Sequence, residues 1–409
     1  MLTELRLENF KCFGGETVVP CGRLNLLTGV NSKGKSTTLQ ALLILHQSLS
    51  RMTTGEPTLQ RVELNGGSVR LGTFREIQNS ERPTDDRVRL SFEFSDELEA
   101  GGHEITVSRL QIWQADGKER WASLTSVEVE RFVDLQVVSH NNRQGANGHA
   151  VALDFALEPD GSARDTLARS SHLYELGQVY YVGADRLGPQ DFFPWSNSYY
   201  RTSVGVRGER TPEVLYRAEQ EQQQVHTQLL RSEAASTVPE QASAWLSYIF
   251  DGGAVRVGAE SGVVLTVEMN ADGSARYFRA VHLGFGYSYV LPILVASLVA
   301  PPGSILIVEN PEAHLHPFAQ SRMGEFLALV AQSGVQVFVE SHSEHVLNAF
   351  RLAVREQHLA TEDLAVLYFR RDAQEPVLRV AVEADGRITD WPDGFFDQRT
   401  RDFLRLFGE

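Results

Sequence analysis

Apolar and polar positions at the start of the chain first alternate and then change to a helical spacing. Leu2, Leu5 and Leu7 recur at a period close to two, and a second apolar run over residues 23–28 leads directly into a glycine. Both patterns are typical of strands. Over residues 36–49 the leucines are spaced for one face of a helix. The chain is therefore predicted to begin with strands, a tight turn and a helix.

The following part of the chain divides into a β-rich region and a region in which strands and helices alternate. Alternating segments such as 87–94 and 106–113 predict that residues 50–165 are mostly β, and residues 178–182 are a further strand candidate. From residue 304 onward the alternation predicts a parallel sheet with helices packed on it. The predicted elements there are a strand at 305–308, a helix at 317–332, a strand at 335–339 and a helix from 343.

Residues 212–247 differ from both regions. They are rich in Gln and Glu and have the spacing of a helix. The charge pattern favours a solvated helical arm, and the alternative is a helix that binds a partner.

The composition is that of a folded protein with an uneven distribution of charge. The 409 residues are 42% hydrophobic and carry a formal net charge of −15, which excludes a disordered chain and a uniformly basic nucleic-acid coat. Residues 1–75 hold nine basic and five acidic side chains, so a local basic groove stays open. Cys12 and Cys21 are the only cysteines, too few for a disulfide framework or a cysteine-ligated zinc site.

The hydropathy predicts neither a membrane segment nor an export signal. The longest apolar stretch, residues 290–300, is followed by Pro301-Pro302-Gly303 and is well below the ~20 residues needed to span a bilayer. The amino terminus lacks the apolar core of a signal peptide. We therefore expect a cytoplasmic protein with no membrane partner.

The turn after the second strand carries the strongest chemical signal. Residues 29–36 fit the pattern G-x-x-x-x-G-K-[ST] between an apolar strand and a helix. The glycines allow backbone N–H groups to surround a phosphate at a helix N-terminus. Lys35 can reach the β- and γ-phosphates, and the Ser36 hydroxyl can ligate Mg²⁺. The alternative is a glycine-rich turn without a ligand.

A second element lies in residues 304–317, where an apolar strand ends in Glu309-Asn310-Pro311-Glu312. The carboxyl edge of a parallel sheet is where ligands bind, and a carboxylate there can hold Mg²⁺ opposite the Ser36 hydroxyl. An acidic residue that follows a strand by chance is the alternative. The earlier phosphate-binding pattern favours the functional interpretation.

Two other turns could face a nucleotide. His342 follows the next strand and could contact a γ-phosphate, whereas the structural alternative is that Ser343 caps a helix and His342 is solvated. Residues 282–293 form a glycine-containing turn before an apolar helix. This turn could present Ser288 to the nucleotide of another subunit, or it could simply pack the helix.

These segments together resemble the ABC-type ATPase heads of the SMC/RecF/OLD group. Within that group the chain is similar to bacterial ATP-binding proteins that end in a short domain of unknown function. The resemblance runs from residue 1 to about residue 400. The segments that carry it are Leu5-x-Leu-x-Asn9-Phe10-Lys11-x-Phe13, the pattern at 29–36, Glu309–Pro317, Ser341-His342-Ser343, and segments at 181–189, 206–209 and 391–397.

The resemblance implies an α/β P-loop NTPase fold of the ABC-ATPase head type. It has a mixed-sheet core, a β-rich amino-terminal lobe and a helical insertion, with no long coiled coil. The implied segments are a lobe with the P-loop and β-rich insertion at 1–211, a helical arm at 212–250, a lobe with the signature, Walker B strand and switch histidine at 251–360, and a short domain at 361–409.

The resemblance also implies ATP and Mg²⁺ as ligands and a head-to-head dimer. Ser288 would act in trans as the signature serine, His342 would sense the γ-phosphate, and His316 would lie in the dimer-contact loop. Mg²⁺ would be held by Ser36 and Glu309. The implied phosphate contacts are Asn31, Gly34, Lys35, Ser36 and Thr37.

The chain departs from the group in three ways. Asn310 stands where the group usually has the catalytic glutamate, and an amide cannot take a proton, so we expect slow hydrolysis. Glu312 and His342 are then the candidates that orient the attacking water. The signature reads Gly-Phe-Gly-Tyr-Ser288 in place of Leu-Ser-Gly-Gly. No clear Q-loop is visible, and Gln78 is the best candidate, although an ordinary surface glutamine is the alternative.

The resemblance thus implies an ATPase that dimerises around Mg-ATP as a homodimer or higher homo-oligomer, and Asn310 predicts that it is slow. By analogy with relatives of this layout, it would act as a switch for a separately encoded effector, most simply a nuclease, in a bacterial anti-phage system. The alternative is a RecF-like repair ATPase that binds DNA directly. A transporter subunit is disfavoured by the signature. A nuclease within this chain is disfavoured because the acids after His342 are scattered over turns.

Overall fold

The computed structural model describes residues 1–49, 61–82, 87–98, 102–114, 121–133, 136–137, 178–195, 203–232, 234–260, 262–271, 276–370 and 374–408. The chain divides into two compact units, each built from separate stretches. The first contains Met1–Gly22, Gly29–Val179 and Leu367–Arg379, and the second contains Arg23–Thr28, Tyr180–Val366 and Val380–Glu409. The predicted four-segment division of the chain stays a prediction.

The first unit is built on an antiparallel sheet in which β1 pairs with β2 and β5, in the order β2-β1-β5-β6-β7-β4, with β8 beside β7. Leu5 and Leu7 are fully buried, so their alternation reflects one core-facing side of β1. Leu2 is also fully buried, and the pairing with β5 is irregular between Leu2 and Glu4. The β-rich prediction is confirmed where 50–165 is described, and residues 138–165 lie outside that part. The strands are β1 (Leu2–Glu8), β2 (Thr17–Pro20), β4 (Arg61–Glu63), β5 (Arg87–Leu98), β6 (Gly102–Gln114), β7 (Trp121–Val133) and β8 (Gln136–Val137).

Helix α1 (Lys35–Leu49) starts directly after the glycine turn, as predicted. Leu39, Leu42 and Leu43 are fully buried, and the side chain of Gln47 near the helix end accepts from Val69 N–H at 3.0 Å. A single-turn helix, α2 (Phe74–Ile77), also belongs to this unit.

A sheet of order β17-β16-β3-β15-β14-β9 carries the parallel strands predicted from the carboxy-terminal half. In the second unit β14 pairs with β15, and β15 with β3, in parallel register: Glu309 lies beside Glu340, and Glu340 beside Leu27. The carboxyl ends of three strands therefore share one edge of the sheet. The strands are β3 (Leu24–Gly29), β9 (Val179–Val182), β14 (Ile305–Glu309), β15 (Gln336–Glu340), β16 (Leu364–Phe369) and β17 (Val377–Val380).

Helices pack beside these strands in the second unit. Gly324 of α6 lies against α7, where an added Cβ would come within 2.6 Å of the Ala349 Cβ, so the two helices approach closely. The predicted helix at 317–332 is confirmed. The helices are α5 (Phe285–Val299), α6 (Pro317–Gln332) and α7 (Glu344–Arg355), and a further helix near the carboxy terminus, α8 (Gln398–Phe407), buries none of its residues. No described helix is both long and apolar enough to cross a bilayer.

A smaller antiparallel sheet of order β10-β12-β11, with β13 beside β12, completes the second unit. It is formed by β10 (Phe193–Pro194), β11 (Ala254–Glu260), β12 (Val264–Asn270) and β13 (Phe278–Arg279).

The interpretation of residues 212–247 as one solvated helical arm is wrong. The segment forms two separate helices, α3 (Thr211–Gln220) and α4 (Val238–Phe250), which bury apolar residues such as Trp245 and Leu246. Residues 219–222 are exposed, whereas Gln241 is fully buried, donates to the Ala235 carbonyl and accepts from Arg231 N–H. The charge pattern therefore describes the exposed residues and does not reveal the apolar side chains that the two helices bury, or the buried amide that satisfies backbone groups between them.

Candidate functional site

The loop after β3 requires glycine at both ends. Gly29 has φ 119°, and an added Cβ would lie 2.2 Å from the Phe369 carbonyl oxygen. Gly34 has φ 114°, and an added Cβ would lie 2.2 Å from the ring of Phe13. Both positions combine a left-handed backbone with a close approach, so the loop can take this shape only with glycine there.

Lys35 opens helix α1 and folds back over the loop that precedes it. Its side chain is 4% exposed, and its Nζ donates to the carbonyl oxygens of Gly29 at 3.0 Å and Val30 at 3.1 Å. Asn31 and Ser36 are exposed beside it. The first turn of a helix has backbone N–H groups with no partner inside the helix, and these attract anions. The loop therefore combines an ammonium, helix N–H groups and exposed hydroxyl and amide side chains.

Glu309, at the end of β14, is oriented by donors from the segment that follows β9. Its Oε1 accepts from the Tyr181 hydroxyl at 2.9 Å, and its Oε2 accepts from Ala184 N–H at 3.3 Å. Burial, followed by the adjacent Glu309 charge, raises the pKa of Tyr181 well above its usual range. The phenol therefore stays protonated and acts as a donor that holds the carboxylate.

Arg186 is 2% exposed, and its side chain contacts the backbone of the Glu309–Asn310 turn. Its guanidinium donates to the carbonyl oxygens of Gly183 at 3.0 Å, Glu309 at 2.6 Å and Asn310 at 2.6 Å. It also lies 5.1 Å from the ring centroid of Tyr289. Burial lowers its pKa to about 10, against the raising effect of Tyr289 and the nearby glutamates.

Asn310 has a left-handed backbone with φ 46°, which Asn tolerates better than most residues. Its N–H donates to the Glu340 carbonyl at 2.7 Å. Its side-chain oxygen is buried without a hydrogen-bond partner among the described residues. The Asn310 side chain, which is predicted to lie beside the reacting phosphate, therefore points its oxygen into the protein in this conformation.

Glu312 joins the turn after β14 to the segment that follows β15. Its two oxygens accept from the Ser341 hydroxyl and from His342 N–H, both at 2.8 Å. Ser343 caps α7 by accepting from His345 N–H at 3.1 Å, so the cap interpretation is correct for Ser343. The His342 side chain is exposed, next to the Glu312 carboxylate.

Ser288 lies in the first turns of α5 and is half-buried. It lines a cleft of the second unit together with Thr211 and Met269. The next residue, Tyr289, packs edge-on against the His314 ring with centroids 4.4 Å apart. His316 caps α6 through its Nδ1, which accepts from Phe318 N–H at 3.4 Å.

The predicted site residues fall into two groups, one in each compact unit. The first unit holds Asn31, Gly34, Lys35, Ser36 and Thr37, and the second unit holds Glu309, Asn310, Glu312, His342 and Ser288. The Q-loop candidate Gln78 follows α2 in the first unit, where its N–H donates to the Phe74 carbonyl, and it stays a prediction.

Sequence analysis did not assign roles to Tyr181 and Arg186. Both residues lie in segment 181–189, which carries part of the resemblance. The signal in the sequence that could have indicated a role is an arginine four residues after a predicted buried strand.

The donor chemistry fits a magnesium ion. Within the described ranges no cluster of three or more His, Cys, Asp or Glu side chains could hold a metal. Mg²⁺ at nucleotide sites instead takes one or two protein oxygen ligands together with phosphates and water. The Ser36 hydroxyl in the first unit and the oriented Glu309 carboxylate in the second unit are, each by itself, oxygen ligands of that kind.

Comparisons with known proteins agree with the resemblance. A family model described as "AAA domain, putative AbiEii toxin, Type IV TA system" matches residues 24–348. A second model, described as "Protein of unknown function (DUF3696)", matches residues 359–406. No curated protein matches the chain.

Similar solved structures include three SMC head domains. One is bound to the C-terminal winged-helix domain of ScpA (13% identity, 94% of this chain and 98% of that chain, TM-score 0.48). The second is from Thermotoga maritima (13%, 93% and 99%, TM-score 0.40). The third is from Pyrococcus furiosus and is bound to the C-terminal domain of ScpA (11%, 100% and 99%, TM-score 0.47).

Proposed function

Since the chain belongs to the AAA domain family whose description names the AbiEii toxin, we propose that it binds Mg-ATP and hydrolyses it slowly as a conformational switch. The observation that carries this proposal is the loop at Gly29–Lys35. Two left-handed glycines and a lysine folded over the loop carbonyls lie at the start of a helix. That arrangement suits the β- and γ-phosphates of a nucleotide.

Phosphate binding would give the Lys35 ammonium charged acceptors in place of neutral ones. Its Nζ would leave the carbonyl oxygens of Gly29 and Val30 for phosphate oxygens, so that both partners of each hydrogen bond are ionised. Thr37 and Asn31 would add polar contacts. Ser36 and Glu309 would hold Mg²⁺, which when bound neutralises charge on the β- and γ-phosphates.

Slow hydrolysis follows from the residues beside Glu309. Asn310 cannot accept a proton, and its side-chain oxygen is buried. Both oxygens of Glu312 already accept a hydrogen bond, so an attacking water would have to share these oxygens with Ser341 and His342. A general base contributes ~10²–10⁴-fold. Because Asn310 cannot act as a base and Glu312 is already hydrogen-bonded, we expect slow turnover and a long-lived ATP-bound state.

We further propose that the ATP-bound state is a head-to-head homodimer or a higher homo-oligomer, with Ser288 in trans. Two large aromatic side chains near this region support an interaction surface: Phe285 is 54% exposed and Phe318 is 47% exposed. Exposed apolar patches of this kind favour protein contacts.

The assembled state would control a separately encoded effector, most simply a nuclease, in a bacterial anti-phage system. The toxin system named in the family description supports a two-component arrangement. Direct DNA binding, as in a RecF-like repair ATPase, is the second candidate. The net charge of −15 weighs against it, and salt-dependent binding of duplex DNA would favour it.

The test is nucleotide binding and turnover in the wild type and in Lys35→Ala. Mg-ATP at 100 times its Kd should stabilise the folded state by ~2.7 kcal/mol, visible as a rise in Tm. Lys35→Ala should lose most of that rise together with phosphate release. Equal Tm shifts in both proteins would contradict the proposal.

A further inference from the structure

We propose that Arg186 is a positioning residue that fixes the Glu309–Asn310 turn and links it to helix α5. The inference rests on the proposed ATPase function for its catalytic consequence but not for its structural one. It is carried by the three carbonyl contacts of one buried guanidinium and by its packing on Tyr289.

The geometry of the contacts uses the shape of arginine. One terminal nitrogen joins the carbonyls of Gly183 and Glu309, and the other takes the carbonyl of Asn310. A planar guanidinium can donate in several fixed directions at once, whereas a lysine ammonium is a single point charge. The Asn310 carbonyl also accepts from Ala313 N–H at 3.1 Å, so Arg186 adds a second, charged donor to it and ties it to the carbonyl of Glu309.

The buried positive charge of Arg186 is neutralised by no directly paired carboxylate among the described residues. No carboxylate among the described residues lies within ion-pair distance of it, and its Nε has no hydrogen-bond partner there. A buried charge that is satisfied only by carbonyls is costly. Arg186 thus places a fixed positive charge beside the backbone of Glu309 and near the Glu312 carboxylate. In the proposed function, a polyanionic ligand would bind in this region.

The other face of the guanidinium connects the turn to α5. Tyr289 lies under Arg186 and against the His314 ring, and it directly follows Ser288 in α5. His314 belongs to the same connection that contains Asn310 and has a left-handed φ of 62°. A shift of the Glu309–Asn310 turn would therefore be transmitted to the part of α5 that carries Ser288.

The experiment compares Arg186→Met, Arg186→Lys and a control, Arg256→Met. Arg256 is an exposed arginine that pairs with Glu268 at 2.6 Å. The first readout is hydrogen–deuterium exchange of the peptide covering residues 305–316 in nucleotide-free protein. The second is the separation of kcat from KM for ATP, and the third is the Tm rise caused by Mg-ATP.

We expect faster exchange in residues 305–316 for Arg186→Met, because the Asn310 N–H loses the fixed turn that holds it to Glu340. We expect kcat to fall by about tenfold to hundredfold, the usual effect of removing a residue that orients a ligand. KM and the Mg-ATP shift should change little. Arg186→Lys should recover part of both losses, and Arg256→Met should behave as wild type.

Unchanged exchange and unchanged kcat in Arg186→Met would overturn the inference, as would an equal loss in Arg256→Met. If Arg186→Met does not fold, Arg186→Lys decides the question by the same criteria. If wild type shows no turnover, the ATPase proposal fails, and exchange alone then confirms or refutes the positioning role.

Discussion

The carboxylate of Glu312 accepts the backbone N–H of His342 at 2.8 Å. The same carboxylate accepts the hydroxyl of Ser341 through its other oxygen, and Asn310 N–H donates to Glu340. The turn after β14 and the segment after β15 are therefore joined at three points. Glu312, which sequence analysis named as a candidate for water orientation, is also the residue that fixes the backbone of the proposed switch histidine.

Glu312→Gln should lower steady-state hydrolysis below the wild-type rate. An amide has no negative charge and offers one acceptor oxygen and one donor group, whereas the carboxylate accepts from both Ser341 and His342. The amide can contact both groups only if the Ser341 hydroxyl changes from donor to acceptor, so we expect His342 to be held less firmly. Phosphate release at saturating Mg-ATP measures the effect, and the exposed Glu362→Gln is the control. If wild-type turnover is rapid and Glu312→Gln leaves it unchanged, Glu312 neither orients the attacking water nor holds His342 in a position that hydrolysis requires.

Asn310→Glu should speed hydrolysis by supplying a general base, whose typical contribution is ~10²–10⁴-fold. The left-handed backbone at this position should also lower the Tm of the variant, because Asn tolerates that conformation better than Glu, for which it costs about 1–2 kcal/mol. Asn310→Gln is the matched control, since it has the same length and the same strain without a base. A similar rate increase in both variants would exclude proton acceptance as the cause.

Gly34→Ala should abolish the stabilisation by Mg-ATP. The added Cβ meets the Phe13 ring at 2.2 Å on a residue with φ 114°, so the loop must change its shape. Gly67→Ala is the control, because nothing lies within 4 Å of an added Cβ there, and surface substitutions of this kind stay within about 0.5 kcal/mol. A full nucleotide-induced Tm rise in Gly34→Ala would show that the loop is not the phosphate site.

Mg-ATP should slow alkylation of Cys12. The Cys12 Sγ is exposed and lies 3.8 Å from the Thr37 hydroxyl, which is predicted to contact phosphate. Cys21 is the internal control, since it is buried and burial raises the pKa of its thiol to about 12, so it should react only on unfolding. Mass spectrometry follows both sites. Equal protection of Cys12 in Lys35→Ala would mean that the protection does not come from this loop.

Ser288→Arg should remove ATP-dependent association while it leaves the Mg-ATP effect on Tm intact. A long cation at this position would obstruct the surface that Ser288 is proposed to present to the nucleotide of a second copy. Light scattering with a non-hydrolysable analogue measures the mass, and the exposed Thr227→Arg is the control. A mass that is independent of nucleotide in wild type would indicate a constitutive oligomer instead.

The sequence by itself determined the elements whose signals are local. A strand that ends at Gly29, the glycine–lysine pattern and the helix from Lys35 are contiguous, and each follows from short-range periodicity and backbone sterics. The same is true of β14, α6, β15 and the cap at Ser343, where the predictions were confirmed to within one or two residues. Glu309 could be named because the carboxyl end of a parallel strand has a known chemical use.

Only the tertiary structure decided which side chains satisfy one another across long separations. Tyr181 and Arg186 lie more than a hundred residues from Glu309, and the buried Gln241 bonds to the irregular backbone between α3 and α4. The physical reason is that a buried donor or acceptor must find its partner in space. Periodicity records which face of an element is apolar, and it carries no information on which distant atom completes a hydrogen bond.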